Sequence, residues 1–188
     1  MSKLKEFVTI VDAIGKQLAI PHAIGGGVAV RAHGYRRETT DVDAFFLPED
    51  RNRVLRAFRE TGLHVERVMV PFHYAALPED ATNIEERIDI LFPEGDPEVS
   101  AIEMFEKLKV EGVPGVQVFP AELLVIGKLL YSDRWQDFAD VAELYQIGAF
   151  DPDEAERLTK LMDPEASFKG ELAELLKPRA PKRSRKKR

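Results

Sequence analysis

A chain of 188 residues with 44% hydrophobic and 32% charged residues can bury a core of its own, as one domain or as a compact domain with a small helical appendage. No apolar run reaches the roughly 18 residues of a membrane span, the first twenty residues are charged throughout, and the chain has no cysteine. This excludes disulfide frameworks, thiolate zinc sites and cysteine nucleophiles and leads to the expectation of a cytoplasmic protein. The net charge of -6 hides a polarity, because the last twelve residues, KPRAPKRSRKKR, hold eight Lys or Arg and no acid.

Leu4, Phe7, Val8, Val11, Ile14 and Leu18 recur at helical spacing and predict an amphipathic helix over 2–19, ended by Pro21. A short apolar stretch, His22 to Ile24, then runs into Gly25-Gly26-Gly27 and a helical segment from Val28 to His33, which reads as strand, glycine turn and short helix. Val42 to Leu47 reads as a buried strand and Arg51 to Glu60 as a helix closed by Gly62. Val65 to Ala76, bent at Pro71, and Glu86 to Phe92 read as two further strands. An irregular connection follows, with Lys107 to Glu111 and Val116 to Phe119 as a hairpin around Pro114-Gly115. Beyond Pro120 the apolar spacing becomes helical and predicts three or four helices in succession. The organisation expected is an α/β unit over 1–119, a helical region over 120–176 packed on it, and a basic disordered tail over 177–188. The tail is either an arm for nucleic acid, binding through counterion release, or a solubilising segment.

The chemistry concentrates on acids. Thirteen aspartates make about one D-x-D expected by chance, so the pattern alone says little. Asp151-Pro152-Asp153 serves as a control, since it opens a polar stretch and reads as a helix cap. Asp41-Val42-Asp43 differs because it leads into a buried strand with both carboxylates on one face, where their repulsion calls for a cation or a shared proton. Asp89, in the apolar run Arg87-Ile88-Asp89-Ile90-Leu91, is costly to bury unpaired. If its strand lies beside 42–47, three carboxylates converge in a set suited to Mg²⁺ or Mn²⁺. Ahead of them, the glycines let backbone amides approach an anion, and Arg36, Arg37, Thr39 and Thr40 add donors.

The segment GGGVAVRAHGYRRETTDVDAFF is similar to the signature of the nucleotidyltransferase superfamily of DNA polymerase β-like proteins, and most of all to its AbiEii/AbiGii-type toxin branch. A second block, PAELLVIGKLLYSDRWQDFADVAEL, resembles the helical motif of that branch, and the resemblance spans about 20–147. It implies an α/β (α+β) nucleotidyltransferase-like mixed sheet flanked by helices, followed by a C-terminal helical bundle. It further implies Gly26, Gly27, Arg37, Thr39 and Lys128 as nucleotide-binding residues and Asp41, Asp43 and Asp89 as metal ligands. Asp89 would also activate the acceptor, Lys128 would contact the triphosphate, and Asp137 would orient Lys128 or the acceptor. Arg134 and Asp140 complete the second block. The implied activity is transfer of a nucleoside monophosphate from an NTP, with Mg²⁺ or Mn²⁺, to a hydroxyl of RNA, protein or a small molecule. Likeness to the toxin branch adds the expectation of a toxin-type enzyme with a cognate antitoxin. The alternative is a non-catalytic nucleotide- or nucleic-acid-binding regulator that uses the basic tail. The four histidines show no paired metal-ligand spacing, and Trp135 reads as a packing anchor, with base stacking as the alternative.

Overall fold

A computed structural model of the chain describes residues 2–68, 73–93 and 104–177. Helix α1 (Lys3–Leu18) starts where the Ser2 hydroxyl caps the Lys5 amide and ends at Ala19, which takes the left-handed conformation at φ 54°. Its buried stripe of Phe7, Val8, Val11 and Ile14 follows the apolar spacing of the sequence. Strand β1 (His22–Ile24) leads into α2 (Gly26–Ala32), then come β2 (Val42–Phe46), a 3₁₀ turn at Pro48–Asp50 and α3 (Arg51–Glu60). The remaining strands are β3 (Leu63–Arg67), β4 (His73–Pro78), β5 (Ile88–Leu91), β6 (Glu106–Val110) and β7 (Val113–Val118). Among the described residues four helices follow: α4 (Ala121–Leu130), α5 (Trp135–Gln146), α6 (Pro152–Met162) and α7 (Phe168–Leu175).

The strands form one mixed sheet in the order β3-β4-β5-β2-β1-β7-β6. Strand β2 pairs antiparallel with β1 and parallel with β5, and β1 pairs parallel with β7. Alternation along β2 sends Val42, Ala44 and Phe46 into the core, where Phe46 meets Phe58 of α3 edge-on. It leaves Asp43 and Phe45 on the opposite face. Under β1, the ring of His22 lies directly on Gly15 of α1, so a Cβ at Gly15 would coincide with the imidazole. No helix among the described residues is long and apolar enough to cross a membrane.

Three local expectations are corrected. The stretch 65–76 is not one bent strand but two, β3 and β4, paired antiparallel from Leu63↔Pro78 to Arg67↔Tyr74; Pro71 lies outside the described residues. A continuous run of β-formers cannot by itself reveal a reversal. The β6–β7 hairpin turns at Glu111 and Gly112, both with positive φ, and not at Pro114-Gly115. Pro114 and Gly115 instead lie within β7 where the register slips between Leu108 and Val110, which accommodates a residue without an N–H and one without a side chain. Helix α2 begins inside the glycine run, at Gly26, and not at Val28. The basic stretch 178–188 and the connection 94–103 lie outside the described residues.

Candidate active site

The parallel pairing of β2 with β5 puts Asp43 directly opposite Asp89. Both side chains therefore stand on the same sheet face, and Asp41, just ahead of β2, joins them. One carboxylate oxygen from each of the three lies within 4.8 Å of the others. The cost of this crowding appears on Asp43, whose pKa is pushed up from 3.8 to about 7, first by burial and then by the negative charges of Asp41 and Asp89. Lys128 and Arg134 offset only part of it. A carboxylate so destabilised in its charged form is relieved by a cation, and three hard oxygen donors match Mg²⁺ or Mn²⁺ in chemistry.

Each acid is held in place by its neighbours. The Thr39 hydroxyl donates to Asp41 Oδ1 at 2.8 Å. Asp89 is buried, and its Oδ1 accepts from Arg87 Nε at 2.8 Å and from His73 Nε2 at 2.7 Å. Gly26, at φ +55°, sits so close to Asp43 that a Cβ there would coincide with the carboxylate. The left-handed backbone and the contact each require glycine. Gly27 packs against Arg37 and Thr39, and a Cβ would come within 2.5 Å of both side chains. The Gly25 amide also donates to the Asp43 carbonyl at 2.9 Å, tying the turn to β2.

The second block forms a buried charge cluster. Lys128 of α4 is buried between Asp137, to which it hydrogen-bonds, and Asp140 of α5, at 2.8 Å from Oδ2. Ser132 donates to the other oxygen of Asp137 at 2.7 Å. Burial raises the Asp137 pKa, yet the hydrogen bonds from Lys128 and Ser132 outweigh it and hold the carboxyl below its ordinary value. Asp140 is completely buried and its Oδ1 stands 3.2 Å from Arg37 Nε. One carboxylate on α5 thus joins a helical lysine to the segment that carries Thr39 and Asp41.

The structure therefore brings Asp41, Asp43 and Asp89 together at one point, with Gly26, Gly27, Arg37 and Thr39 beside them, and places Lys128 and Asp137 in a paired cluster with Asp140. Lys128 and Arg37 are matched by carboxylates in this arrangement, so either would trade a carboxylate for a phosphate to bind one. Arg134 is the most exposed of these cations, its side chain 71% exposed and 3.8 Å from Asp137. Trp135 is not a buried anchor: it is 69% exposed, meeting Phe138 edge-on. Sequence reasoning missed His73 and Arg87 as partners of Asp89. For Arg87 the signal existed, two residues before Asp89 on the same strand face; for His73 it required the β4–β5 pairing. His33 is accounted for by a contact of Nε2 with the Phe119 carbonyl at 2.8 Å, and Asp151 caps α6 by accepting from the Asp153 amide at 2.8 Å.

No family model matches the chain, and no curated protein matches it. Solved structures do. The lincosamide antibiotic adenylyltransferase LnuA with lincomycin bound is 17% identical at a TM-score of 0.56, over 76% of this chain and 96% of that one. ANT(2")-Ia in complex with adenylyl-2"-tobramycin is 19% identical at a TM-score of 0.61, over 88% of this chain and 96% of that one. An antigenic nucleotidyltransferase-like protein from Paracoccidioides brasiliensis is 16% identical at 0.57, over 91% and 92%. The seven-stranded mixed sheet and its helices therefore have the fold seen in nucleotidyltransferases.

Proposed function

We propose that the chain is a metal-dependent nucleotidyltransferase that moves a nucleoside monophosphate from an NTP to an acceptor hydroxyl. The observation that carries this reading is the register of Asp43 against Asp89, which with Asp41 makes a three-carboxylate cluster beside a glycine turn. In the reaction the acceptor oxygen forms a bond to the α-phosphorus, the bond from that phosphorus to the α,β-bridging oxygen breaks, and pyrophosphate leaves. A bound Mg²⁺ or Mn²⁺ would neutralise the charge that gathers on the phosphate oxygens. Asp41, Asp43 and Asp89 would hold the ion, with Thr39 fixing Asp41 and with Arg87 and His73 fixing Asp89. The Asp89 carboxylate would take the proton of the acceptor hydroxyl. Backbone amides at Gly26 and Gly27, with Arg37 and Lys128, would hold the phosphates, and Asp137 would orient Lys128.

Acceptor and biological role are finer readings. The pairing of Lys128 with Asp137 and Asp140 supports the AbiEii/AbiGii-type branch, because it gathers the residues by which the second block resembles that branch. An RNA acceptor and a cognate antitoxin belong to that reading. The antibiotic-bound structures above support a small-molecule hydroxyl as the other acceptor class. The test is transfer of α-labelled NTPs to tRNA, lincomycin or tobramycin in Mg²⁺ or Mn²⁺ by the wild type and by Asp41→Ala/Asp43→Ala. Transfer by the wild type alone supports the reading, and undiminished transfer by the double variant refutes it.

A further inference from the structure

The sheet face that carries Asp43 also carries a cavity of about 500 Å³. It opens one strand repeat further along β2, at Phe45, whose ring packs 4.8 Å from that of Phe119. Leu123, Leu124 and Met162 also line it, and Gly26, the residue in contact with Asp43, belongs to its wall. Among the described lining residues no side chain carries a negative charge. Lys128 brings the one positive charge, and Asp137 and Asp140 already match it. Such a space suits a flat, uncharged, largely apolar ring system and falls within the roughly 300–1,000 Å³ of small-molecule sites. It suits neither a polycation nor a polyanion.

Gly127 shows that the space is kept open. It lies inside α4, where glycine weakens the helix relative to alanine, and a Cβ there would meet nothing within 4 Å. Neither the backbone nor a packing neighbour requires glycine at this position. Gly127 lines the cavity, so the missing side chain leaves its volume to the cavity. A side chain would strengthen the helix and fill the hole.

Resting on the proposed transferase reading, we propose that this cavity receives the base of the donor nucleotide and selects it by ring area, purines over pyrimidines, with Gly127 as the residue that keeps it open. Continuity with Gly26 places the occupant on the side of the glycine turn, where the donor phosphates are assigned. Asp89, Arg87 and His73, on the acceptor side, contribute nothing to the wall. Of the polar side chains in the described wall, Lys128 is engaged by Asp137 and Asp140, and Tyr131 has an interaction of its own. The base is therefore read by stacking, which grows with ring area, and not by its hydrogen-bonding edge. Adenine and guanine are treated alike.

The test is calorimetric titration, in Mn²⁺, with the α,β-methylene triphosphates of the four nucleosides, which cannot be cleaved between α and β, and with inorganic tripolyphosphate. The wild type is expected to bind both purine analogues about tenfold more tightly than the pyrimidine ones, with adenine and guanine within about threefold of each other. Gly127→Leu is expected to lose at least about tenfold in affinity for the purine analogues while its tripolyphosphate binding is unchanged. Gly127→Ala, which adds one methyl group, should lose less and melt no lower than wild type, so misfolding cannot imitate the result. Pyrimidine analogues binding as tightly as purines, or a Gly127→Leu protein that binds purines normally, overturns the inference. If tripolyphosphate binds and no nucleoside analogue binds more tightly, the cavity assignment alone falls. If neither tripolyphosphate nor any analogue binds, the transferase reading falls and takes the inference with it.

Discussion

Replacing Asp43 by asparagine should make the metal-free protein more stable at pH 8, although it removes a central residue of the candidate site. The Asp43 carboxyl titrates at about 7 in the fold against an ordinary 3.8, so the folded state holds this proton more tightly than the unfolded chain does. Between these two values the native state carries more bound proton, and stability falls as pH rises. A shift of about three units at ~1.4 kcal/mol each gives a penalty of up to about 4 kcal/mol, complete above pH 7 and absent near pH 4. The asparagine amide carries no charge and escapes it. Urea unfolding of wild type and Asp43→Asn in EDTA, at pH 5 and pH 8, reads the difference directly. The variant's advantage should grow by about 2 kcal/mol or more between these pH values, and Mn²⁺ should erase it by stabilising only the wild type. A difference that stays flat with pH would refute the claim that burial and the neighbouring carboxylates disfavour the charged form of Asp43 in the fold.

Asp140→Ala deprives the buried Lys128 and the half-buried Arg37 of a shared partner and should cost about 3 kcal/mol in urea unfolding, far more than loss of an exposed ion pair. Gly26→Ala places a methyl group on the Asp43 carboxylate and forces an unfavourable φ; it should abolish the Mn²⁺-dependent rise in melting temperature while the far-ultraviolet circular dichroism stays native. Two glycines inside helices should respond with opposite sign. Gly127→Ala should gain about 1 kcal/mol from helix propensity, whereas Gly15→Ala, whose methyl group would coincide with the His22 ring, should lose about 2 kcal/mol despite the same propensity gain. Equal shifts in thermal melts of the two would contradict the packing described for α1.

Much of the site is legible in the sequence because its parts are local. Asp41 and Asp43 share a face by strand alternation, and an apolar run with one acid marks Asp89 as a residue that needs a partner. That β2 and β5 are neighbours is a long-range fact, and the sequence supports it only through the motif resemblance. Residues whose meaning depends on strand neighbours are harder to read. His73 gains its role from lying across from β5, and no spacing along the chain encodes that contact. The hairpin shift has a local cause, since Pro-Gly is a strong turn signal, but the register slip in β7 absorbs it and lets Glu111-Gly112 make the turn. Trp135 misleads because a lone large apolar residue suggests burial, whereas its place at the start of α5 turns it outward.

The bridge from Lys128 through Asp140 to Arg37 bears on modularity. Removing the helices after residue 119 would strip Arg37 of Asp140 and loosen the segment that orients Asp41. The strand-rich part is therefore not self-sufficient at this point. A replacement helical part would have to carry an acid at the position of Asp140 or leave a buried charge without its partner. Even the exposed α4–α5 corner carries part of this obligation, because Arg134 stands 3.8 Å from Asp137 and its charge offsets part of the rise in the Asp43 pKa.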